Sequence, residues 1–191
     1  MIFNLKEVLS THFSDCEKTL TEIASNNSDN VVSNIFYVSK GKLYCMDSIV
    51  EKHFKITPKS ADALVVTDKT VIFIEFKDGK KKNIKTHDIK LKLFEAFNAL
   101  FKVLKDKLEN KISRNDFWGM DFSYIVVYRD EEKLASIKSR LERSEIKWGL
   151  DEYDGFYLKS SFTEFSPNIV KDLLCKIAGD AFQDTQYIPE A

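Results

Sequence analysis

The chain has 191 residues, 43% of them hydrophobic, with 15 phenylalanines, 29 basic and 30 acidic side chains and a formal net charge of −1. This apolar content excludes an intrinsically disordered chain, and the balanced charge excludes a protein that coats nucleic acid through bulk positive charge. We expect a single domain over residues 1–191, large enough to bury a sizeable core.

The cysteines and the apolar runs indicate a cytoplasmic protein. Cys16, Cys45 and Cys175 are widely spaced, odd in number and without a C-x-x-C motif. Such cysteines are typical of reduced core thiols rather than of a disulfide framework or a zinc site. No apolar run reaches the roughly 18 residues of a membrane span, and no secretory signal is visible. We therefore expect a cytoplasmic location and no membrane partner.

Two helices are predicted in the first third of the chain, one over residues 2–24 and one over about 43–54. In each, apolar side chains recur at steps of three and four residues, as in an amphipathic helix. The apolar positions are Ile2, Leu5, Leu9, Phe13, Cys16, Leu20 and Ile23 in the first helix and Met46, Ile49, Val50 and Phe54 in the second. The polar run 25–30 predicts a loop, and residues 31–38 fit either a short strand or a helix.

A β-hairpin is predicted from two short runs rich in β-branched and aromatic residues, 61–66 and 70–77, joined around residues 68–69. Side chains alternate between the two faces of a strand. In the second run, one face carries Val71, Phe73, Glu75 and Lys77, and the other carries Ile72, Ile74 and Phe76. If the turn is symmetric about residues 68–69, Asp62 lies directly opposite Glu75.

Two opposed carboxylates on an otherwise apolar hairpin require a compensating charge. Directly opposed side chains have Cβ atoms about 4.5–5.5 Å apart, and like charges there are destabilising. Glu75 also interrupts a continuous apolar run, where an unpaired charge is costly. A divalent cation satisfies both acids, because Mg²⁺ binds through one or two carboxylates together with water and substrate phosphate. Lys77 follows Glu75 on the same face, within reach of whatever the ion holds.

This spacing, an aspartate followed on the next strand by Glu-x-Lys, resembles the PD-(D/E)XK nuclease superfamily. The likeness rests on Ala61-Asp62 and on Glu75-Phe76-Lys77, with alanine where the pattern has proline. It implies that Asp62 and Glu75 bind Mg²⁺ or Mn²⁺, with the main-chain carbonyl of Phe76 as a third ligand. It also implies that Lys77 orients the attacking water and stabilises the transition state. Without a metal, the same residues fit a strand cap, a surface glutamate and a solvated lysine.

Superfamily members resemble each other in carrying a further acid on a helix before the core strands. Asp47 and Glu51 lie on one side of the predicted helix 43–54 and are the candidates. Glu51 is preferred as a catalytic residue because it flanks the apolar stripe, and Glu22 on the first helix is the fallback. A solvated acidic pair is an equally good interpretation of Asp47 and Glu51.

A basic segment follows the hairpin, with Lys80, Lys81, Lys82 and Lys85. Because it emerges beside the predicted metal, we expect these lysines to hold the phosphates of a bound strand without reading its sequence. A solvated loop is the alternative interpretation.

The helix that follows the hairpin carries two further lysines, Lys90 and Lys92, in its first turns. Superfamily members similarly pack a helix there, often with a polar or basic residue near the site, so the resemblance implies that one of the two lies near it. Lys92 is included among the expected nucleic-acid contacts.

Helices and strands continue to alternate in the rest of the chain. We predict helices over 86–110 and 131–143, a strand inside the sheet over 123–128, and a last helix from Pro167 to about residue 178. We also predict a loop over 116–119, short edge strands over 154–159 and 162–165, and a loosely held tail over 179–191.

The order of predicted elements gives a three-layer α/β/α domain around a central mixed sheet. It is similar to the restriction-endonuclease-like core of the superfamily, α-β-β-β-α-β. Residues 54–57 or 35–38 are expected to supply the first core strand.

The resemblance implies a Mg²⁺- or Mn²⁺-dependent nuclease that hydrolyses phosphodiester bonds of DNA. Two alternatives stay open: a non-catalytic domain of the same fold that binds nucleic acid or a protein, and an enzyme acting on RNA or a small phosphodiester. DNA is favoured over RNA, and no RNA-recognition aromatic motif is visible. Small nucleases of this kind look like components of mobile elements, restriction or phage defence. A homodimer and a targeting protein partner are both left open.

Overall fold

A six-stranded mixed sheet with helices packed against it forms the framework of the molecule. The computed structural model describes residues 4–25, 35–67, 70–78, 83–129, 147–164 and 166–188. The strands are β1 (Glu17–Thr19), β2 (Tyr37–Val38), β3 (Lys42–Cys45), β4 (Ala63–Val66), β5 (Thr70–Lys77), β6 (Asp121–Tyr128), β7 (Ser160–Glu164) and β8 (Gln186–Tyr187). The helices are α1 (Leu5–Phe13), α2 (Leu20–Ile23), α3 (Met46–His53), α4 (Thr86–Lys107), α5 (Arg114–Trp118) and α6 (Pro167–Ala178).

Antiparallel and parallel pairing meet at β5, near the centre of the sheet. The strand order is β1-β3-β4-β5-β6-β7, and β2 and β8 form a separate two-stranded sheet. Pairing is antiparallel from β1 to β5 and parallel from β5 to β7. Parallel neighbours need a long crossover connection, and α4 lies within the connection from β5 to β6. The carboxyl ends of β5, β6 and β7 therefore meet at one edge of the sheet.

The predicted hairpin register is confirmed over the four residues of β4. Ala63 pairs with Ile74 and Val66 with Val71, as expected for a turn symmetric about residues 68–69, which lie outside the described residues. The strand begins at Ala63, so Asp62 stands one position before it.

Apolar side chains on the two faces of the sheet belong to two separate clusters. Val71 and Phe73 of β5 pack with α1, α3 and α4. Ile72, Ile74 and Phe76 pack on the other face with α2 and α6. The alternation predicted for β5 is therefore confirmed, and helices on both faces make the architecture compatible with a three-layer α/β domain.

The single helix predicted over residues 2–24 is wrong, because the chain leaves the helix after Phe13. A short 3-10 turn, the edge strand β1 and the four-residue helix α2 follow. The restart has a local cause: Thr19 accepts a hydrogen bond from the amide of Glu22, and the Glu22 carboxylate accepts one from the amide of Thr19. This capping box fixes a new helix start that the apolar spacing alone does not reveal.

Neither segment predicted to supply a strand before the hairpin, 54–57 or 35–38, pairs with β4. Strand β3 pairs with both β1 and β4, so Leu43, Tyr44 and Cys45 are extended rather than helical, and α3 begins only at Met46. The helical spacing of apolar residues begins at Met46, and the prediction wrongly includes residues 43–45 in the same helix. Of the alternative segment 35–38, only Tyr37–Val38 is a strand, and it pairs with β8.

The C-terminal segment is held more firmly than predicted. Phe182 is buried, and its ring lies so close to Gly41 that a Cβ there would meet it at 2.6 Å. Strand β8 then pairs with β2, and the amide of Ile188 donates to the carbonyl of Phe36. Tertiary packing therefore orders a segment whose sequence has no strong periodicity.

The later elements match the predictions in part. Helix α4, strand β6, strand β7 and helix α6 with Pro167 in its first turn are confirmed. The predicted loop 116–119 is mostly the short helix α5, capped by Ser113 and Asp116, and the predicted strand 154–159 is a turn. The predicted helix 131–143 lies outside the described residues. Within the described ranges, no helix has the length and apolar character needed to cross a membrane.

Candidate active site

Asp62 and Glu75 lie side by side at the end of the hairpin away from its turn. Glu75 stands on β5 and its side chain is 0% exposed, whereas the side chain of Asp62 is 17% exposed. The amide of Phe76 donates a hydrogen bond of 2.6 Å to Oδ2 of Asp62. This bond fixes the aspartate against the main chain of β5, so the two predicted acids share one site.

Two lysines supply positive charge to this pair. Nζ of Lys92 lies 3.0 Å from Oδ1 of Asp62 and 2.7 Å from Oε1 of Glu75. Nζ of Lys77 lies 2.6 Å from the same Oε1. Lys77 therefore shares a face with Glu75 as predicted, whereas Lys92, expected as a nucleic-acid contact, bridges the carboxylates directly.

Helix α4 brings Lys92 to the site. Its neighbours Ile89, Leu93 and Ala96 are buried in the cluster that covers one face of the sheet. A lysine beside that stripe buries its methylene stem while its ammonium extends beyond the apolar surface. The ammonium thus reaches the carboxylates from the helix layer, across the hairpin.

Burial and the neighbouring charge of Glu75 make Asp62 hard to ionise. Burial, and then the charge of Glu75, raise the pKa of Asp62 to about 7, against the opposing effects of Lys92 and the Phe76 amide. Burial opposes the charge on Lys92, yet Glu75 and Asp62 outweigh it and raise its pKa. Lys92 therefore stays cationic. Further positive charge near the two carboxylates would stabilise their charged forms.

Two buried polar atoms beside the pair have no hydrogen-bond partner among the described residues. They are Oε2 of Glu75 and the hydroxyl of Tyr124. Tyr124 pairs in register with Phe73, so it faces the same layer as Glu75 from the neighbouring strand β6. Burial raises the pKa of Tyr124, and Glu75 and Asp62 raise it further. Sequence reasoning missed this tyrosine, although a hydroxyl within an apolar strand is a usable signal.

The pair opens into a polar cavity of about 500 Å³. Its acidic lining residues are Glu22, Asp47, Glu51, Asp62, Glu75 and Asp78, and its basic ones are Lys18, Lys77 and Lys92. All three predicted candidates for a further acid therefore line the same cavity. Asp47 accepts a 2.6 Å hydrogen bond from Ser60 and Glu22 caps Thr19, whereas Glu51 is exposed. Glu51 remains the preferred candidate, because its carboxylate takes part in neither of these hydrogen bonds.

A buried ion pair closes the strand ends next to the cavity. Nε of Arg129 lies 2.7 Å from Oδ1 of Asp78, with side chains only 4% and 8% exposed. The guanidinium also lies over the rings of Phe36 and Tyr187, and the Arg129 amide donates to the carbonyl of Lys77. These contacts tie the carboxyl ends of β5 and β6 to the C-terminal segment.

Of the remaining predicted residues that the structure describes, Phe76 lines the cavity. Lys85 is exposed at the start of α4 and is not among the cavity-lining residues. Lys80, Lys81 and Lys82 lie outside the described residues. The Phe76 side chain is buried on the opposite face of the sheet, and its amide serves Asp62, so the role of its carbonyl as a metal ligand stays a prediction.

The donor set suits a hard cation held by two carboxylates. Asp62 and Glu75 offer oxygen ligands, and the buried Oε2 of Glu75 lacks a donor among the described residues. In the same part of the chain, however, no group of three or more His, Cys, Asp or Glu side chains is arranged to hold a metal ion. A Mg²⁺ ion at such a two-carboxylate site would need further oxygen ligands, which water and phosphate usually supply.

No family model, curated protein or solved structure matches this chain.

Proposed function

We propose that this protein is a Mg²⁺- or Mn²⁺-dependent nuclease that hydrolyses phosphodiester bonds of DNA, resembling PD-(D/E)XK enzymes. One observation carries the proposal: Asp62, Glu75 and Lys77 lie together in the lining of one polar cavity. A buried carboxylate pair is costly to keep in a core, and a catalytic cation is a physical reason to keep it.

The order of elements supports the same proposal. Helix α1, strands β3, β4 and β5, helix α4 and strand β6 occur in the α-β-β-β-α-β order of a restriction-endonuclease-like core. Further elements interrupt that order: β1, α2 and β2 before β3, α3 after β3, and α5 before β6. In that comparison the Glu-x-Lys strand is β5 and the next helix is α4, which carries Lys92. A likeness of topology raises the expectation of this fold but assigns no chemistry, so the residues at the site carry the functional argument.

Each residue of the site has a role that follows from its contacts. Asp62 and Glu75 would hold the ion, and the Phe76 amide keeps Asp62 in place. The chemistry that Mg²⁺ supplies when bound is polarisation of a phosphate oxygen and a lowered pKa of bound water. Lys77, which reaches the cavity, would orient the attacking water and stabilise the negative charge that develops on the phosphate. Glu51 is the further acid facing the same space.

Lysines that follow β5 along the chain are the candidates to position the substrate. Lys85, Lys80, Lys81 and Lys82 follow the strand that bears Glu75, and lysines there suit contacts to a phosphate backbone without base readout. A sequence-independent DNA nuclease in phage defence or on a mobile element fits such a run of lysines. A second copy of the chain or a targeting protein would then supply any specificity.

Cleavage of three polymers tests the proposal. The purified chain is incubated with supercoiled plasmid, single-stranded DNA and RNA, each with Mg²⁺, Mn²⁺ or EDTA. We expect DNA cleavage only with a metal ion, and its loss in Glu75→Gln but not in Glu152→Gln, an exposed control whose partner is Lys90. Cleavage of RNA alone would contradict the DNA assignment, and no metal-dependent cleavage of any polymer would contradict the enzyme.

A second candidate is a non-catalytic domain of the same fold that binds nucleic acid or a protein. The contacts of Lys77 and Lys92 favour it, because two ammonium groups compensate the two carboxylates without a metal. Calorimetric titration with Mg²⁺ separates the two functions. Heat of binding in the wild type that disappears in Glu75→Gln supports the nuclease, whereas no binding by either supports the non-catalytic domain.

A further inference from the structure

Lys92 occupies a position between the two carboxylates. Its ammonium is 3.0 Å from Asp62 Oδ1 and 2.7 Å from Glu75 Oε1, so one cation joins both acids. The acids approach it from β5 and from the residue before β4, and the lysine approaches from α4. The three side chains therefore hold the hairpin and the helix layer together through charge.

An ammonium and a divalent ion cannot share this position. Both would take the same oxygens, Oδ1 of Asp62 and Oε1 of Glu75, and like charges a few ångströms apart repel strongly where water is scarce. The carboxylates must therefore exchange the lysine for a metal ion. Before the Lys92 ammonium moves, an incoming metal ion can reach only Oε2 of Glu75, which is buried and has no hydrogen-bond partner among the described residues.

The adjacent cavity offers space for the Lys92 ammonium. Lys92 lines the polar cavity, and its side chain is 21% exposed. Rotation of a flexible four-carbon stem would carry the charge from the carboxylates into the cavity, where Lys77 also lies. A phosphate group entering the cavity would then meet two ammonium groups.

We infer that Lys92 is an internal cation that holds the carboxylates together in the metal-free protein, competes with the metal ion, and moves to the substrate phosphate when the ion enters. The inference rests on the proposed metal-dependent function and adds regulation of the same site. Lys92 is thus a positioning residue for the acids before metal binding and a phosphate contact afterwards.

Metal affinity in a charge-neutral variant tests this competition. Mn²⁺ binding to the full chain is measured from the loss of the free-ion electron paramagnetic resonance signal, for the wild type, Lys92→Met and Lys92→Gln. The matched control is Lys90→Met, since Lys90 stands on the same helix, is 24% exposed and pairs with Glu152, 2.8 Å away. We expect both Lys92 variants to bind Mn²⁺ about tenfold or more tightly than the wild type, on the scale of effects seen when groups beside a metal are changed.

A second readout separates competition from a purely structural role. Without metal, Lys92→Met should melt below the wild type, because two carboxylates then face each other unbridged, and saturating Mn²⁺ should raise its melting temperature more than that of the wild type. Lys90→Met should follow the wild type in both measurements. A structural lysine would lower stability without tightening metal binding. The glutamine variant serves if the methionine variant does not fold, because its amide still donates a hydrogen bond.

The outcomes distinguish this inference from the proposed function. If the wild type binds Mn²⁺ and the folded Lys92 variants bind it equally or more weakly, competition by Lys92 is refuted while the nuclease proposal stands. If neither the wild type nor the variants bind Mn²⁺ and no polymer is cut, the proposed function fails and the competition fails with it.

Discussion

Lys77 forms an ion pair with Glu75 on the same face of β5, with Nζ 2.6 Å from Oε1. The glutamate is fully buried and the lysine is partly exposed, so the pair spans the boundary between the core and the cavity. The lysine of the Glu-x-Lys pattern is therefore part of the site rather than the first residue of a solvated loop. Charges held in this way affect the stability of the protein.

Asp62→Asn should stabilise the metal-free protein at about pH 8, by about 1 kcal/mol or more. The pKa of Asp62 is raised to about 7 from 3.8, mainly by burial and by Glu75. The folded state therefore binds more protons than the unfolded state between these values, and stability falls as pH rises through them. Asparagine does not titrate, so the variant does not lose stability in this way as the pH rises. Urea unfolding in EDTA at about pH 8 and about pH 5 should show the advantage of the variant shrinking at the lower pH.

Asp106→Asn is the control for that measurement. Lys102 and then His53 lower the pKa of Asp106, so its carboxylate favours the folded state above its unfolded pKa. Its replacement should bring no gain at the higher pH. An Asp62→Asn variant that is less stable than the wild type at both pH values would show that its ion pair with Lys92 outweighs the burial of charge.

Tyr124→Phe should be neutral or stabilising by about 1 kcal/mol, because a buried donor without a partner costs about 1–3 kcal/mol. The Tyr124 hydroxyl has no hydrogen-bond partner in the described part of the chain. Equilibrium urea unfolding at neutral pH, with Tyr153→Phe as a partly exposed control, measures the difference. A clear loss of stability specific to Tyr124→Phe would show that the hydroxyl is satisfied in solution.

Breaking the ion pair between Asp78 and Arg129 should cost about 3–5 kcal/mol in either single variant, since the remaining charge stays buried. Asp78→Asn, Arg129→Met and the double variant form a double-mutant cycle, read by chemical denaturation. We expect the double variant to lose less than the two single losses combined. Strictly additive losses would mean that the 2.7 Å contact contributes no coupling.

The hairpin is the part of the site that the sequence predicts best. Side chains alternate strictly along Val71 to Lys77, and a symmetric turn fixes the register, so the proximity of Asp62 and Glu75 follows from local rules. Lys77 follows from the same alternation. These residues need no information from distant parts of the chain.

Residues that reach the site from elsewhere are harder to predict. Lys92 contacts Asp62 across 30 residues of sequence, and its helical position alone does not say which way the ammonium points. Arg129 contacts Asp78 because β6 lies parallel to β5. No local sequence pattern predicts which strands pair across a parallel crossover. The break after Phe13 depends on one capping box, whose energy competes with a continuous apolar stripe.

The most direct test of the central claim is the rate of Mg²⁺-dependent DNA cleavage by Lys77→Met beside the wild type and Lys90→Met. The claim is that Lys77 acts on the phosphate beside an ion held by Asp62 and Glu75. We expect Lys77→Met to lose about hundredfold or more in rate, with unchanged circular dichroism, while Lys90→Met cuts as fast as the wild type. Undiminished cleavage by folded Lys77→Met would contradict the claim.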